Sequence, residues 1–306
     1  MLRSVILAAA RSHRAERLIE TVPLTRGMAR QFIAGEDVQT ALATTTGVVE
    51  GGLAATLDLL RADAGTLVDA EEARADYERL LVALTRSELT PSAEISVRLS
   101  VLGFGLGWEV AFEHTHAICA RASEAGTTVT LEAEHAAATD AVLDILDRLW
   151  TDFPTTGVVL PAALRRTEAD CRELAAAGAR VRLCKKATAE PESVAYQTRH
   201  DIDRSFVRCL NVLLSGGAYP LIATHDARLI AIAEDRAKWF NRTRDQFEFQ
   251  LAHGIRPAEQ HRLAAVGYTV RVYLPFGEHW YAYLMSRFAD RPSKAGLLYQ
   301  ALRSRA

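Results

Sequence analysis

Lysine is nearly absent from this 306-residue chain: of 36 basic residues, only Lys185, Lys186, Lys238 and Lys294 are lysine. The rest are arginine, and two of the four lysines are adjacent. Cysteine is sparse as well. Cys119, Cys171, Cys184 and Cys209 show no CxxC spacing, which points to free thiols in a reducing cytosol. No apolar stretch approaches the roughly 18 residues of a membrane span. The opening MLRSVILAAARSHRAERL has a short apolar patch followed at once by Arg and Glu, without a convincing h-region and cleavage site, so no secretion signal is expected. Neither sign of charge dominates: the formal net charge of -2 argues against a nucleic-acid partner, which would require a basic face. Nor does any Pro/Gly/Ser-rich linker divide the chain.

What is present is an ordinary globular composition, 49% hydrophobic and 24% charged, at a length that supports one large α/β domain. Short β-like apolar runs recur at 93–101, 127–134, 156–163, 179–187, 219–226, 247–254 and 269–277, with a weaker one at 52–59. Each is separated from the next by enough chain for a crossover helix. Helices are expected at 108–125 and 166–177, each ending just before a glycine, Gly126 and Gly178. Thr167 to Asp170 and Pro257 to Gln260 supply acidic or proline helix starts. Eight runs alternating with helices predict a (β/α)8 barrel of the TIM type over 46–306, with 1–45 as a helical extension of the same single domain. An open doubly wound sheet is the competing architecture. The GFGLG at 103–107 lacks the third glycine at the dinucleotide spacing and reads as a loop.

In such a barrel the reactive groups belong at the carboxyl ends of the strands. Those ends carry Arg98 and Ser100; Glu132, Glu134 and His135; Arg182, Lys185 and Lys186; Thr224, His225 and Asp226; Glu248, Gln250 and His253; and Tyr273, with Tyr283 and Arg287 just beyond. Glu132 and Glu134 alternate so that both can face the mouth, although a solvated loop start is the plainer reading. Arg182 lies inside an apolar strand, where a guanidinium requires an anion or a carboxylate. His225 follows a buried strand directly and suits a site role over a core one. His114 and His116, two apart on a helix, cannot form a ligand pair and read as surface residues. Trp239, Phe240, Trp280 and Tyr281 read as packing.

The stretches ISVRLSV at 95–101, VTLEAE at 129–134, RLCKKA at 182–187, IATHDARLI at 222–230, FEFQLAHGIR at 247–256 and VRVYLPFGEHWYAYLMSRFADRP at 270–292 together resemble the proline dehydrogenase family. The resemblance runs over almost the whole chain. It implies a distorted (β/α)8 barrel with FAD across the carboxyl ends, and oxidation of proline or a related cyclic imino acid to a pyrroline-5-carboxylate-type imine by hydride transfer to flavin N5. It implies that Arg182 sits by N5, with Glu132 and Tyr273 beside the reacting atoms. Lys185, Lys186, Thr224, His225, Glu248 and Gln250 fall at cofactor-side positions. Tyr273 and Tyr283 wall the substrate pocket, and Arg287 clamps the substrate carboxylate, a task for a planar fork donor. Arg98, Ser286 and Asp290 complete the substrate side. No metal is implied.

The chain also departs from the family pattern. Arg98 stands for a lysine, Glu132 for an aspartate, Ser286 for the first arginine of the carboxylate pair, and Asp290 for a glutamate. Pro161 replaces a glutamine on the fourth strand, and Lys186-Ala187-Thr188 replaces Gly-Ala-Tyr, so the positions expected to approach FAD are altered. These changes leave two alternatives. One is a barrel that has lost flavin chemistry and uses a Schiff base at Lys186 or a metal held by Glu132, Glu134, His225 and Glu248. The other is a non-catalytic ligand-binding relative. The electron acceptor that the resemblance implies is a quinone or other redox carrier. Quinone-linked members often work at a membrane surface, but no amphipathic basic helix in this chain argues for that, so a cytoplasmic protein is the expectation and a peripheral membrane association the alternative.

Overall fold

The computed structural model describes residues 31–133, 135–185 and 190–290, with 286–290 described as backbone alone. Its helices are α1 Val38–Glu50, α2 Leu67–Arg86, α3 Trp108–Glu124, α4 Thr139–Leu149, α5 Thr167–Ala176, α6 Arg199–Ser215, α7 Ala227–Trp239, α8 Pro257–Ala265 and α9 Trp280–Asp290. The strands are β1 Ala54–Leu59, β2 Ala93–Arg98, β3 Val129–Glu132, β4 Gly157–Pro161, β5 Arg180–Cys184, β6 Tyr219–Ala223, β7 Glu248–Ala252 and β8 Thr269–Phe276. All eight expected runs are strands, each parallel to its neighbours, in the order β1 to β8. Closure is made by β1 and β8, from Ala54 opposite Arg271 to Leu59 opposite Phe276, which rules out the open sheet. Helix α1 runs across position 45.

Local signals place the helices. Asp37 caps α1 by accepting from the Thr40 amide at 2.8 Å, and Thr66 with Asp69 forms a reciprocal capping box on α2. Gly126 and Gly178 end α3 and α5 with φ of +69° and +73°. The segment before α1 is pinned to the end of β8, with Ala34 N–H donating to Pro275 O and Gly277 N–H to Gly35 O, at 2.8 and 3.0 Å.

The apolar core lies between sheet and helices. Leu57, Ile95, Val97, Leu131, Leu160, Leu183, Phe249 and Leu274 point outward from the strands to meet Leu80, Leu84, Ile118, Ile145, Phe206 and Leu210 on the helices. The barrel interior takes the alternate positions, and much of it is polar: Thr56 and Asp58, Glu94 and Ser96, Thr130 and Glu132, Arg180 and Arg182, Glu248 and Gln250, Arg271 and Tyr273. Period-2 alternation thus gives each strand an apolar outer face and β1, β2, β3, β5, β7 and β8 a charged inner one, while β4 and β6 stay uncharged inside.

Two expectations need correction, the packing of Trp239 and the surface position of His114. Trp239 is 71% exposed, because it closes α7 at the surface with its ring beneath the Arg236 guanidinium. His114 is half-buried, with Nδ1 3.1 Å from the Leu102 carbonyl and Glu71 on its other side, so it serves packing between α2 and α3. His116, by contrast, is on the surface beside Asp152.

Candidate active site

The mouth is built around Glu132, the last residue of β3. Its Oε1 accepts from Ser96 Oγ at 2.6 Å, Arg182 Nη1 at 2.8 Å and Tyr273 Oη at 3.4 Å. Four strands therefore converge on one carboxylate oxygen. Arg182 is 3% exposed, also donates to Ser96 Oγ at 2.9 Å, and lies with its guanidinium 5.3 Å from the centre of the Tyr273 ring. Its Nε and Nη2 make no hydrogen bond, although Nη2 lies 3.6 Å from Glu94 Oε1. Burial, and then the Asp58 and Glu132 carboxylates, push the Tyr273 phenol well above its ordinary value, so it remains protonated and donates.

Arg98, at the end of β2, turns its Nη2 to the carbonyls of Leu59 and Arg61, at 3.2 and 2.9 Å. It holds the loop after β1 against the mouth. Asp58 accepts from Tyr273 Oη at 2.7 Å through Oδ2, and is 3% exposed.

A second group follows β5 and β6. Lys185 Nζ pairs with Asp203 and lies 3.3 Å from Asp226 Oδ2. Asp226 caps α7 through the Arg228 amide. Burial opposes its charge, but that amide together with Arg199, Arg228 and Lys185 holds its carboxyl well below the usual range. His225 Nε2 accepts the Ala252 N–H at 2.8 Å, so its proton sits on Nδ1 in the neutral form. Thr224 is buried, and its Oγ1 accepts from the Asp226 amide.

Glu248 is a correction. It is the first residue of β7, at the amino end of the barrel, 1% exposed and bound by Arg271 Nε and Nη2 at 2.8 and 3.2 Å. That ion pair replaces the cofactor contact expected there. Gln250, two residues on, donates Nε2 to Glu248 Oε1 at 2.6 Å, while its buried Oε1 receives no hydrogen bond. The same placement removes the metal alternative as drawn, because Glu132 and Glu248 lie at different levels and each is bound to an arginine. Among the described residues no three His, Cys, Asp or Glu side chains converge as ligands.

Tyr283 is half-buried on α9, close enough to Tyr273 to add slightly to the upward push on its phenol. The expected positions Glu134, Lys186 and Thr188 lie outside the described residues, and Ser286, Arg287 and Asp290 are described only as backbone of α9. Pro161 closes β4, buried, with its carbonyl taken by Thr167 Oγ1 at 2.7 Å. Sequence reasoning missed Asp58, Glu94, Ser96 and Arg271. The signal was present in the alternation of polar residues within β1, β2 and β8, at Thr56 and Asp58, Glu94 and Ser96, Arg271 and Tyr273.

A closed parallel barrel with interior charges rising to a cluster at the carboxyl ends of its strands defines a (β/α)8 enzyme with its site at the mouth. The comparisons give the family. The proline dehydrogenase family profile matches residues 41–294. Proline dehydrogenase 1 of Bacillus subtilis (strain 168) is 32% identical over 278 residues, 91% of each chain. The Deinococcus radiodurans proline dehydrogenase is 32% identical over 280 residues, 90% of each. Among solved structures, proline utilization A from Bdellovibrio bacteriovorus superposes with a TM-score of 0.80 at 22% identity, covering 86% of this chain. This chain spans 32% of that larger protein, and the likeness is one of fold. The chain belongs to the proline dehydrogenase family, whose members are FAD-dependent oxidoreductases.

Proposed function

We propose that this chain oxidises proline, or a closely related cyclic imino acid, to the corresponding cyclic imine, with FAD at the barrel mouth. The observation that carries the reading is Arg182. Its guanidinium is anchored through Nη1 by Glu132 and Ser96, while Nε and Nη2 remain buried without a hydrogen bond. Nη2 faces the Glu94 carboxylate at 3.6 Å, which leaves Nε as the buried donor suited to an electron-rich group laid over the strand ends. Gln250 Oε1, also buried without a donor, offers an acceptor in the same interior. The described residues thus fit a flavin, although Pro161 brings no side-chain donor from β4. When bound, FAD supplies the hydride acceptor for the ring carbon beside the substrate nitrogen.

The residues of the chain contribute position and field. Arg182 favours negative charge beside it, and Glu132 with Ser96 prevents its fork from swinging away. Tyr273 and Tyr283 wall the substrate, and Arg287 with Arg98 forms its carboxylate side. Lys185, tied to Asp203 and Asp226, Thr224 and His225 form the cofactor side, joined by Lys186. Ser286 and Asp290 tune the carboxylate side, so the preferred ring can differ from that of proline. A quinone or other redox carrier takes the electrons onward. Four free cysteines support a cytoplasmic setting, and among the described residues no helix is long and apolar enough to cross a membrane.

The test is anaerobic titration of the purified, FAD-supplemented protein with proline and with piperidine-2-carboxylate, following visible flavin absorbance. Bleaching by either ring supports the reading. A colourless protein that takes up no added FAD overturns it.

A further inference from the structure

We infer that Asp58 is a positioning residue of the substrate pocket, fixing Tyr273 by accepting a hydrogen bond from its phenol; the inference rests on the function proposed above. Asp58 faces inward from β1 beside β8, its backbone opposite Pro275. The single phenolic hydrogen of Tyr273 has two carboxylates in reach, Asp58 Oδ2 at 2.7 Å and Glu132 Oε1 at 3.4 Å, and the shorter contact takes it. The ring is then held at its tip by Asp58 and over its face by the Arg182 guanidinium, 5.3 Å from its centre.

As a stabilising device Asp58 is poorly compensated. Its Oδ1 is buried, receives no hydrogen bond, and stands 4.0 Å from Arg98 Nε. One neutral hydrogen bond and a 4.0 Å ion pair with half-buried Arg98 return less than the desolvation of a buried carboxylate costs. The partner that accounts for its retention is Tyr273, the residue against which the substrate ring is proposed to pack. Without Asp58 the phenol has only the longer contact to Glu132, whose oxygen already accepts from Ser96 and Arg182. Moving to it would pull the ring toward the reacting centre and loosen the Arg182 anchor.

The test uses tetrahydrofuran-2-carboxylate, the ring-oxygen analogue of proline, which cannot become an imine, so its binding is independent of turnover. By calorimetry on the FAD-loaded full chain, Asp58→Leu weakens its binding about ten-fold, as Tyr273→Phe does, and the double variant is no weaker than either. Asp58→Asn, which keeps an acceptor of the same shape, stays within about three-fold of wild type. In proline assays the loss falls on KM more than on kcat. Thermal melts and flavin content establish that each variant is folded. Wild-type binding by Asp58→Leu, losses that multiply in the double variant, or a wild type that does not bind the analogue overturns the proposal. Wild-type protein that binds the analogue, yet whose flavin neither proline nor piperidine-2-carboxylate bleaches, overturns the oxidation reading and leaves the Asp58–Tyr273 coupling standing.

Discussion

At the scale of single residues, Arg182 illustrates how one side chain can be anchored and available at once. Nη1 is shared between Ser96 and Glu132, and the other two nitrogens are left facing the interior. A lysine in its place keeps the charge but has no fork with which to hold two oxygens and still present a donor elsewhere. Arg182→Lys is therefore expected to lower kcat for proline by roughly 100-fold or more, the size seen when a preorganised donor leaves a reacting centre. The assay is steady-state turnover with a dye acceptor, on protein whose flavin content equals that of wild type. Undiminished kcat would remove Arg182 from the reaction.

At the scale of elements, the fold was legible because each strand shows a continuous apolar outer face and each crossover ends or begins on a helix signal. The strand starting at Ala54 was the faintest, since two alanines weaken its start and the inward Asp58 interrupts its end. The site was legible where a charge stands at the carboxyl end of a strand, as Glu132 and Arg98 do, or inside an apolar run, as Arg182 does. It was not legible where depth within the barrel decides the role. Glu248 and Gln250 are adjacent on one face, yet only their position along β7 assigns Glu248 to the amino end and to Arg271. Contacts across the barrel, such as Glu94 on β2 with Arg180 on β5, have no counterpart in sequence spacing.

The element ends also carry a backbone requirement. Gly277, after β8, has φ of +127°, donates to Gly35 O, and would place an added Cβ 2.7 Å from Leu60 O. Main chain cannot rotate aside as a side chain can, so Gly277→Ala must shift the segments around Gly35 or Leu60. A stability loss of about 1–3 kcal/mol in urea denaturation is expected. Equal stability would mean that the loop relaxes freely.

At the scale of the whole molecule, the barrel closes around balanced charge. Arg98, Arg180, Arg182 and Arg271 face Asp58, Glu94, Glu132 and Glu248, and Glu94 is the hub. It lies 2.8 Å from Arg180, 3.6 Å from Arg182 and 3.7 Å from Arg271, and accepts from Thr56 Oγ1 at 2.9 Å. Burial opposes its ionisation, but Arg271, Arg180 and Arg182 outweigh burial and hold its carboxyl below the ordinary 4.5. A carboxyl whose native value lies below its unfolded one contributes stability that is fully present above the unfolded value and disappears as pH falls through the native one. Acid should therefore unfold this protein by protonating the barrel interior, with stability falling below pH 4.5 and on toward the lowered native value. Glu94→Gln removes that dependence at its source. At neutral pH it should cost about 3–5 kcal/mol, because three arginines lose a buried partner. Between about pH 5 and about pH 3 its stability should then decline less steeply than that of wild type. Urea denaturation of both proteins at several pH values across that interval measures the two slopes, and parallel slopes would assign the acid sensitivity to other carboxylates.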